Sequence, residues 1–394
     1  MFIRCYEFSE WISIESFFLF GPRQTGKTTA LKNAFPNALY LDLLMPGLVR
    51  EFEAKPENLI EIISHYIIEN NELPVIIIDE IQRIPELLDV IQSQLFDLER
   101  KKINIRFVLT GSSPRKILRA GKNLLGGRVG WRTFWPLTFI ESQSDESLKP
   151  SLRELVQWGA LPAVVKGQHK KAQLRRYIDV YLEQEIKNEG LSRNLPKFAK
   201  FLGIAALATG QQISMRALSS DVGLSETTVN SWFKILEDTL IGHFVPCFQR
   251  THIRKAMTSQ KFYFFDCGVA NALLNRFSIY EGTPEYGVAL ENYVFQNLAA
   301  YAAREKEVTL KVNYWRSTKH DEVDFIITSD GDPVWAIEVK SAERLKEKDF
   351  SGLNAFAEDF PNVRKTLVAH VPLAKKRPDG IEILPVEKFL KELG

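Results

Sequence analysis

Cysteine is scarce in this 394-residue chain. The three present, Cys5, Cys247 and Cys267, lie far apart, so they build neither a disulfide framework nor a zinc-ligand pattern. A reducing, cytoplasmic compartment is the expectation. Charge of one sign is lacking too: 51 Lys and Arg against 49 Asp and Glu leave a net charge of +2. Any nucleic-acid surface must therefore be local. No apolar run reaches the roughly 20 residues of a membrane helix, so no membrane partner is expected. The start, Met1-Phe2-Ile3-Arg4-Cys5-Tyr6-Glu7, lacks the shape of a signal peptide. Internal repeats and low-complexity segments are missing. What remains, with 45% hydrophobic and 25% charged residues, is an ordinary globular composition, long enough for two or three domains.

The most informative stretch is Phe17-Phe18-Leu19-Phe20-Gly21-Pro22-Arg23-Gln24-Thr25-Gly26-Lys27-Thr28-Thr29. It fits G-x-x-x-x-G-K-[ST] without a mismatch. An apolar run precedes it, as a buried parallel strand would, and the helix-compatible Thr29-Ala30-Leu31-Lys32-Asn33-Ala34 follows. A chance glycine turn would lack that context. Backbone N–H groups from Gly21 to Thr28 can wrap a phosphate at a helix N-terminus. Lys27 would reach the β- and γ-phosphates of ATP, and Thr28 would hold Mg²⁺.

A second constellation is Pro74-Val75-Ile76-Ile77-Ile78-Asp79-Glu80-Ile81-Gln82. The apolar run suits a strand buried on both faces, with Asp79 at its C-terminal end, where α/β sheets bind ligands. Asp79 can share the Mg²⁺ of Thr28, and Glu80 can act as general base or orient water. A further strand, Asn104 to Thr110, runs into Gly111-Ser112-Ser113. In P-loop ATPases with an inserted central strand, that strand end carries a sensor of the γ-phosphate. Thr110, Ser112 and Ser113 are the candidates, and a plain strand-to-loop turn is the alternative. A basic segment follows, with Arg115, Lys116, Arg119, Lys122 and Leu125-Gly126-Gly127-Arg128-Val129. Arg128 is a candidate arginine finger, in its own site or a neighbour's, or else a surface arginine after a glycine turn. The neighbour's site would imply a homo-oligomer. Phe134 to Phe139 closes this region, near residue 150.

In the middle, residues 151–260, Lys170 to Lys187 has the spacing of a long amphipathic helix, with Glu183, Glu185 and Glu189 at its acidic end. Ile213 to Leu236 reads as helix, tight turn, helix. Gly223 supplies the turn's positive φ, and Ser225 caps the second helix. Leu240 to Phe248 would add a wing strand, completing a winged helix. Its second helix offers Ser225, Glu226, Thr227, Asn230 and Lys234, which is not a basic face. Arg250, His252, Arg254 and Lys255 are the better phosphate-binding candidates, with DNA as the candidate partner and a protein partner as the alternative.

Residues 261–394 alternate helices and strands. Val323-Asp324-Phe325 and Ala336-Ile337-Glu338-Val339-Lys340 fall on adjacent strands. A D…E-x-K arrangement of this kind builds the metal site of a restriction-type nuclease core. Alternation puts Glu338 and Lys340 on one face, and Asp324 comes from the neighbouring strand. Two carboxylates suit Mg²⁺. Lys340 would position water, and Glu291, on the preceding helix, could add a carboxylate. A salt-bridged sheet surface is the other reading of the same residues.

The chain resembles the prokaryotic P-loop ATPases of the AAA domain type 14 kind, joined to the C-terminal domain of unknown function 4143. The carrying motifs are Gly21 to Thr29, Asp79-Glu80-Ile81-Gln82, Leu109-Thr110-Gly111-Ser112-Ser113 and Leu125-Gly126-Gly127-Arg128-Val129. In the second half they are Phe265-Asp266-Cys267-Gly268, Glu291-Asn292, Glu322-Val323-Asp324-Phe325 and Glu338-Val339-Lys340. The resemblance implies a multidomain α/β chain: an AAA-like ATPase domain, a helical winged-helix middle and a restriction-nuclease-like C-terminal domain. The sensor strand departs from the AAA pattern in lacking its usual asparagine.

Overall fold

The computed structural model describes residues 1–69, 74–119, 129–182, 195–249, 260–305 and 307–394. They fall into two units, one of Tyr6–Phe134 and the other of Met1–Cys5 with Trp135–Gly394. The expected arginine finger Arg128, together with Lys122, lies outside the described residues. So do Glu183, Glu185 and Glu189, and Arg250, His252, Arg254 and Lys255.

The first unit contains α1 (Phe8–Ile14), β1 (Ser16–Phe20), α2 (Lys27–Ala34), β2 (Leu39–Asp42), α3 (Pro46–Ala54) and α4 (Asn58–Glu69). After these come β3 (Val75–Asp79), α5 (Leu87–Arg100), β4 (Arg106–Gly111), α6 (Arg115–Arg119) and β5 (Val129–Thr133). The strands form one sheet in the order β2-β3-β4-β1-β5, every neighbouring pair parallel. All residues of β1 and β3 are buried, as their continuous apolar runs require. Each buried Phe or Leu of β1 contributes about 1.5–3 kcal/mol. β4 lies between β1 and β3, pairing Phe20 with Gly111 and Asp79 with Thr110. α3, α6 and β5 had no counterpart in the sequence reading, which took Arg115 to Arg119 only as a basic segment. β5 is half-exposed along its length, so it has no apolar run to announce it. α3 has a single buried residue, Phe52.

The second unit begins with α7 (Phe139–Gln143), α8 (Leu152–Trp158), α9 (Pro162–Lys166), α10 (Lys170–Arg176) and α11 (Leu195–Leu207). The expected long helix from Lys170 is α10, which continues as a π-helical turn over Tyr177–Leu182. Then come α12 (Met215–Val222) and α13 (Glu226–Asp238). The turn between them uses Gly223 at φ 74°, and the Ser225 hydroxyl accepts from Thr228 N at 3.2 Å. β6 (Gly242–Val245) pairs antiparallel with β7 (Lys261–Phe264). That pairing crosses the expected division at residue 260, because the partner of the wing strand belongs to the next segment of sequence.

α14 (Cys267–Leu273) and α15 (Pro284–Arg304) lead to β8 (Leu310–Arg316), β9 (Glu322–Ser329), β10 (Asp332–Lys340), α16 (Ser351–Asp359), β11 (Arg364–Ala369), β12 (Lys375–Lys376), β13 (Glu382–Pro385) and α17 (Val386–Glu392). The sheet order is β12-β13-β11-β10-β9-β8, parallel among β10, β11 and β13 and antiparallel elsewhere. Met1–Cys5 joins this unit through a buried pair, Arg4 Nε to Glu141 Oε1 at 3.1 Å, and Cys5 N donates to the same oxygen at 2.8 Å. Among the described residues no helix is long and apolar enough to cross a membrane. All three cysteines are free thiols.

Asp266 ties α14 to the loop after α8. It is fully buried; Oδ1 accepts from Val269 N at 2.9 Å and Oδ2 from Ala160 N at 2.7 Å. Gly159, at φ 75°, allows this approach, since a Cβ there would lie 2.0 Å from Asp266 Oδ1. Burial raises the Asp266 carboxyl to about 6 from an ordinary 3.8, against the pull of its backbone donors. The folded chain thus holds this proton longer than the unfolded chain, and the side chain's stabilising effect declines as pH rises from about 4 to about 6. Asp266→Ala, which orphans two buried N–H groups, is expected to cost about 2 kcal/mol or more. The cost should be larger at pH 4 than at pH 7 in paired thermal melts, and a pH-independent gap would contradict the burial argument.

Candidate functional site

The phosphate loop connects β1 to α2 and is held from both sides. Gly21 N donates to Gly111 O at 3.3 Å, and Phe134 N donates to Phe20 O at 2.7 Å. A Cβ on Gly21 would stand 2.2 Å from Phe134 O, so only glycine fits. Pro22 is buried, Arg23 and Gln24 are half-buried, and Thr29 faces solvent. Gln24 (φ 63°) and Gly26 (φ 93°) take left-handed backbone, which turns the chain into the helix start. Thr25 Oγ1 donates to Pro22 O at 2.9 Å and closes the loop on itself. Lys27 is buried, its ammonium donating to Gly21 O at 2.6 Å and Pro22 O at 3.1 Å. Its charge is therefore folded back into the loop that it would serve.

β4's position sets Asp79 one strand away from Gly111, which neighbours the loop. The Thr28 hydroxyl donates to Asp79 Oδ2 at 2.8 Å, the Tyr40 hydroxyl also donates to that oxygen, and Glu80 N donates to Oδ1 at 3.0 Å. Burial, then the bond to Asp79, pushes the Tyr40 phenol well above its ordinary range, so it stays a donor. Glu80 sits in left-handed backbone at φ 60°, a strain typical of functional positions. Burial raises its carboxyl, while Lys27 pulls it down and Asp79 pushes it up. The Gln82 amide donates to Glu80 Oε2 and to Ser112 Oγ at 3.3 Å. Gln82 thus fixes the orientation of Glu80 and links it to the end of β4.

Of the sensor candidates, Ser112 joins this network. Ser113 Oγ accepts from Arg115 N at 3.2 Å, a local turn contact. Thr110 is fully buried, and among the described residues its hydroxyl has no hydrogen-bond partner. The buried acceptor Gln82 Oε1 is likewise unmatched. Orphaned polar atoms beside Asp79 and Glu80 fit a site built for a polar ligand. The Thr28 hydroxyl and the Asp79 carboxylate also have the oxygen chemistry of a Mg²⁺ site. Tyr40 and Gln82 were given no role by sequence reasoning. Gln82 stood in the Asp79-Glu80-Ile81-Gln82 motif, whereas nothing in sequence marked Tyr40.

The second constellation assembles differently. Asp324 on β9 and Glu338 and Lys340 on β10 do meet, with Lys340 Nζ 2.5 Å from Glu338 Oε1 and Val339 N donating to Asp324 Oδ2 at 2.9 Å. Glu291 of α15 lies near Asp324. Between them stands a residue the sequence reading passed over, Lys261 of β7. Its ammonium is 2.7 Å from Glu322 Oε1, 3.3 Å from Glu291 Oε1 and 3.3 Å from Asp324 Oδ1. Tyr263 OH donates to Glu291 Oε1 at 2.5 Å. Burial opposes the charge on Lys261, but Tyr263 and the three carboxylates more than offset it and hold the ammonium firmly protonated. Burial, reinforced by Asp324, raises the carboxyls of Glu291 and Glu338. Among the described residues no group of three or more His, Cys, Asp or Glu side chains is placed to hold a metal ion. With Lys261 and Lys340 on its oxygens, the donor set Asp324, Glu338 and Glu291 does not fit a divalent metal as it stands. The only sequence signal for Lys261 was a lysine opening an otherwise apolar strand.

These features define a mixed α/β chain with an N-terminal P-loop ATPase-like domain on a parallel sheet and a separate C-terminal sheet domain. A family model for an AAA domain matches residues 14–143. A model for a domain of unknown function, DUF4143, matches residues 286–389. A further domain of unknown function, DUF8612, matches residues 149–279. No curated protein matches the chain. Among solved structures, the Aeropyrum pernix ORC1 protein in complex with DNA aligns at 14% identity, covering 66% of this chain and 86% of its own, with a TM-score of 0.25. The replication initiator DnaA bound to AMPPCP and single-stranded DNA aligns at 12% identity, 60% and 90% coverage, and a TM-score of 0.29. Drosophila ORC bound to DNA aligns at 14% identity, 67% and 90% coverage, and 0.25. TM-scores this low carry no functional inference.

Gly21→Ala would drive a methyl group into the Phe134 carbonyl, which belongs to the backbone and cannot rotate away. The substitution is expected to cost about 1–3 kcal/mol, the usual range for overpacking. Thermal melting of the full chain checks it, and an unchanged melt would contradict the close approach of Gly21 to the Phe134 carbonyl.

Proposed function

We propose that the chain is a Mg²⁺-dependent ATPase. The observation that carries this reading is the meeting of the phosphate loop with Asp79 and Glu80, through the bond from Thr28 Oγ1 to Asp79 Oδ2 and the Gln82 clamp on Glu80. Residues Gly21 to Thr29 would bind ATP, with Lys27 turning from the loop carbonyls to the phosphates. Thr28 and Asp79 would hold Mg²⁺, which supplies charge neutralisation on the phosphate oxygens. Glu80 takes a proton from the attacking water, and its burial keeps it a better base than an exposed glutamate. Gln82 and Ser112 hold that carboxylate in place. Thr110 and Ser112 are sensor candidates, and Arg128 would supply a finger in its own or a neighbour's site.

We assign residues 1–150 to nucleotide chemistry, 151–260 to a winged-helix module whose β6 takes its pairing strand β7 from beyond that boundary, and 261–394 to a nuclease-like fold, with ATP state coupled to this C-terminal half. DNA is the partner suggested by Arg250, Arg254 and Lys255. One observation favours a protein partner instead. Lys234, the cation on the exposed face of α13, is already paired with Glu237 at 2.9 Å and Asp238 at 3.2 Å. Metal-dependent cleavage at Asp324, Glu338, Lys340 and Glu291 is the weaker alternative, given the ammonium of Lys261 among them.

Lys27→Ala should abolish ATP hydrolysis, and Glu80→Gln should bind ATP without cleaving it. A Glu80→Gln chain that hydrolyses at the wild-type rate would remove Glu80 from the role. Because burial raises the Glu80 carboxyl, the acid limb of the kcat profile should lie above the ordinary carboxylate range. Salt-sensitive DNA binding that weakens on changing Arg254 and Lys255 would favour DNA over a protein partner.

A further inference from the structure

Lys261 is 2% exposed, at the start of a strand whose other residues are apolar. A lysine this deep is found only where carboxylates hold it. Here they come from two elements, Glu291 from α15 and Glu322 and Asp324 from β9. The Tyr314 ring adds a face, its centroid 5.7 Å from the ammonium. The oxygens of the cluster are almost fully engaged. Asp324 Oδ1 faces Lys261 and Oδ2 accepts from Val339 N; Glu338 Oε1 faces Lys340 and Oε2 accepts from Asp324 N at 3.4 Å. Two ammonium groups already counter the four carboxylates.

The strand that brings Lys261 in is not part of the six-stranded sheet. β7 pairs with β6, and Gln212 and Thr209, which follow α11, bridge to Lys261 and Phe262. The cation is therefore delivered by the helix-turn-helix portion, and the carboxylates by the sheet portion, of the same unit.

We propose that Lys261 is the resident cation of this carboxylate cluster, taking the place of a divalent metal and latching the β6–β7 hairpin to β9 and α15. The C-terminal sheet domain then carries a latent metal site, closed by the chain's own ammonium. Nothing is cut there while Lys261 remains in place. A neutral side chain at 261 uncovers the oxygens of Glu291, Glu322 and Asp324, a set of hard donors suited to Mg²⁺ or Mn²⁺. The inference is independent of the ATPase reading, since it involves no residue of the phosphate-loop unit.

The test is Mn²⁺ binding to the full chain without nucleotide, followed by electron paramagnetic resonance of the free ion. Wild type and Asp324→Asn should bind Mn²⁺ equally. Lys261→Ala should gain about one ion per chain, lost again when Asp324→Asn is added. Wild-type Mn²⁺ binding that Asp324→Asn removes would overturn the proposal, as would a folded Lys261→Ala chain that gains no ion. If Lys261→Ala does not fold, melting of the combined Lys261→Met, Glu291→Gln, Asp324→Asn chain decides. Neutralising the partners should restore a cooperative melt lost in Lys261→Met alone, and a combined chain no more stable than Lys261→Met would overturn the pairing.

Discussion

A strand buried on both faces must hydrogen-bond on both edges, because a backbone N–H or C=O left bare in the interior costs as much as a lost bond. β1 meets that requirement by taking β4 on one side and β5 on the other. Most of the first unit follows. β4 in turn carries β3, so the chain end after Phe20 and the chain end after Ile78 emerge on the same edge of the sheet with Gly111 between them. The loop glycine, Gly111 and the acidic strand end are neighbours because β4 pairs with β1 on one side and β3 on the other. Thr28, Asp79, Glu80, Gln82 and Ser112 form one hydrogen-bonded set as a by-product of sheet closure.

The second unit depends on a different force. Its sheet and its β6–β7 hairpin meet at a group of charges that would be ruinous if unpaired. Taking an ammonium and a carboxylate out of water costs several kcal/mol each, and the geometry around Lys261 must recover that cost. Three carboxylate oxygens within 3.3 Å of one nitrogen do so. Such groups seldom add much net stability compared with an apolar core. They specify instead which strand sits where, because any other partner for Glu291 or Asp324 leaves a bare charge.

The legible parts of the sequence were those with local signatures. Continuous apolar runs marked β1 and β3, and the glycine-lysine-threonine pattern marked the loop between β1 and α2. Period-two alternation put Glu338 and Lys340 on one face of β10, where they are found in contact. β5 was missed because a half-exposed edge strand carries no run, and α3 because one buried phenylalanine makes no stripe. The hairpin partner of β6 was assigned to the following domain, since residues 250–259 separate the two strands in sequence. Lys261 illustrates the general difficulty. A buried ion's meaning resides in its partners, and these lie as far along the chain as Asp324. Gln82 was in plain view inside a motif, but its function arises only from its distance to Glu80 and Ser112.

The segment Met1–Cys5 belongs to the unit made of residues after Trp135, where Arg4 pairs with the fully buried Glu141. During synthesis, this segment leaves the ribosome ahead of the phosphate-loop unit, and its counter-charge follows only after that whole unit has emerged. The phosphate-loop unit is contiguous and can fold as it appears. The unit that follows is discontinuous, and its N-terminal piece must wait, solvated, until Glu141 is made. The order of assembly is thereby inverted relative to the order of the chain: a segment translated before the phosphate-loop unit reaches its native contacts after that unit can fold.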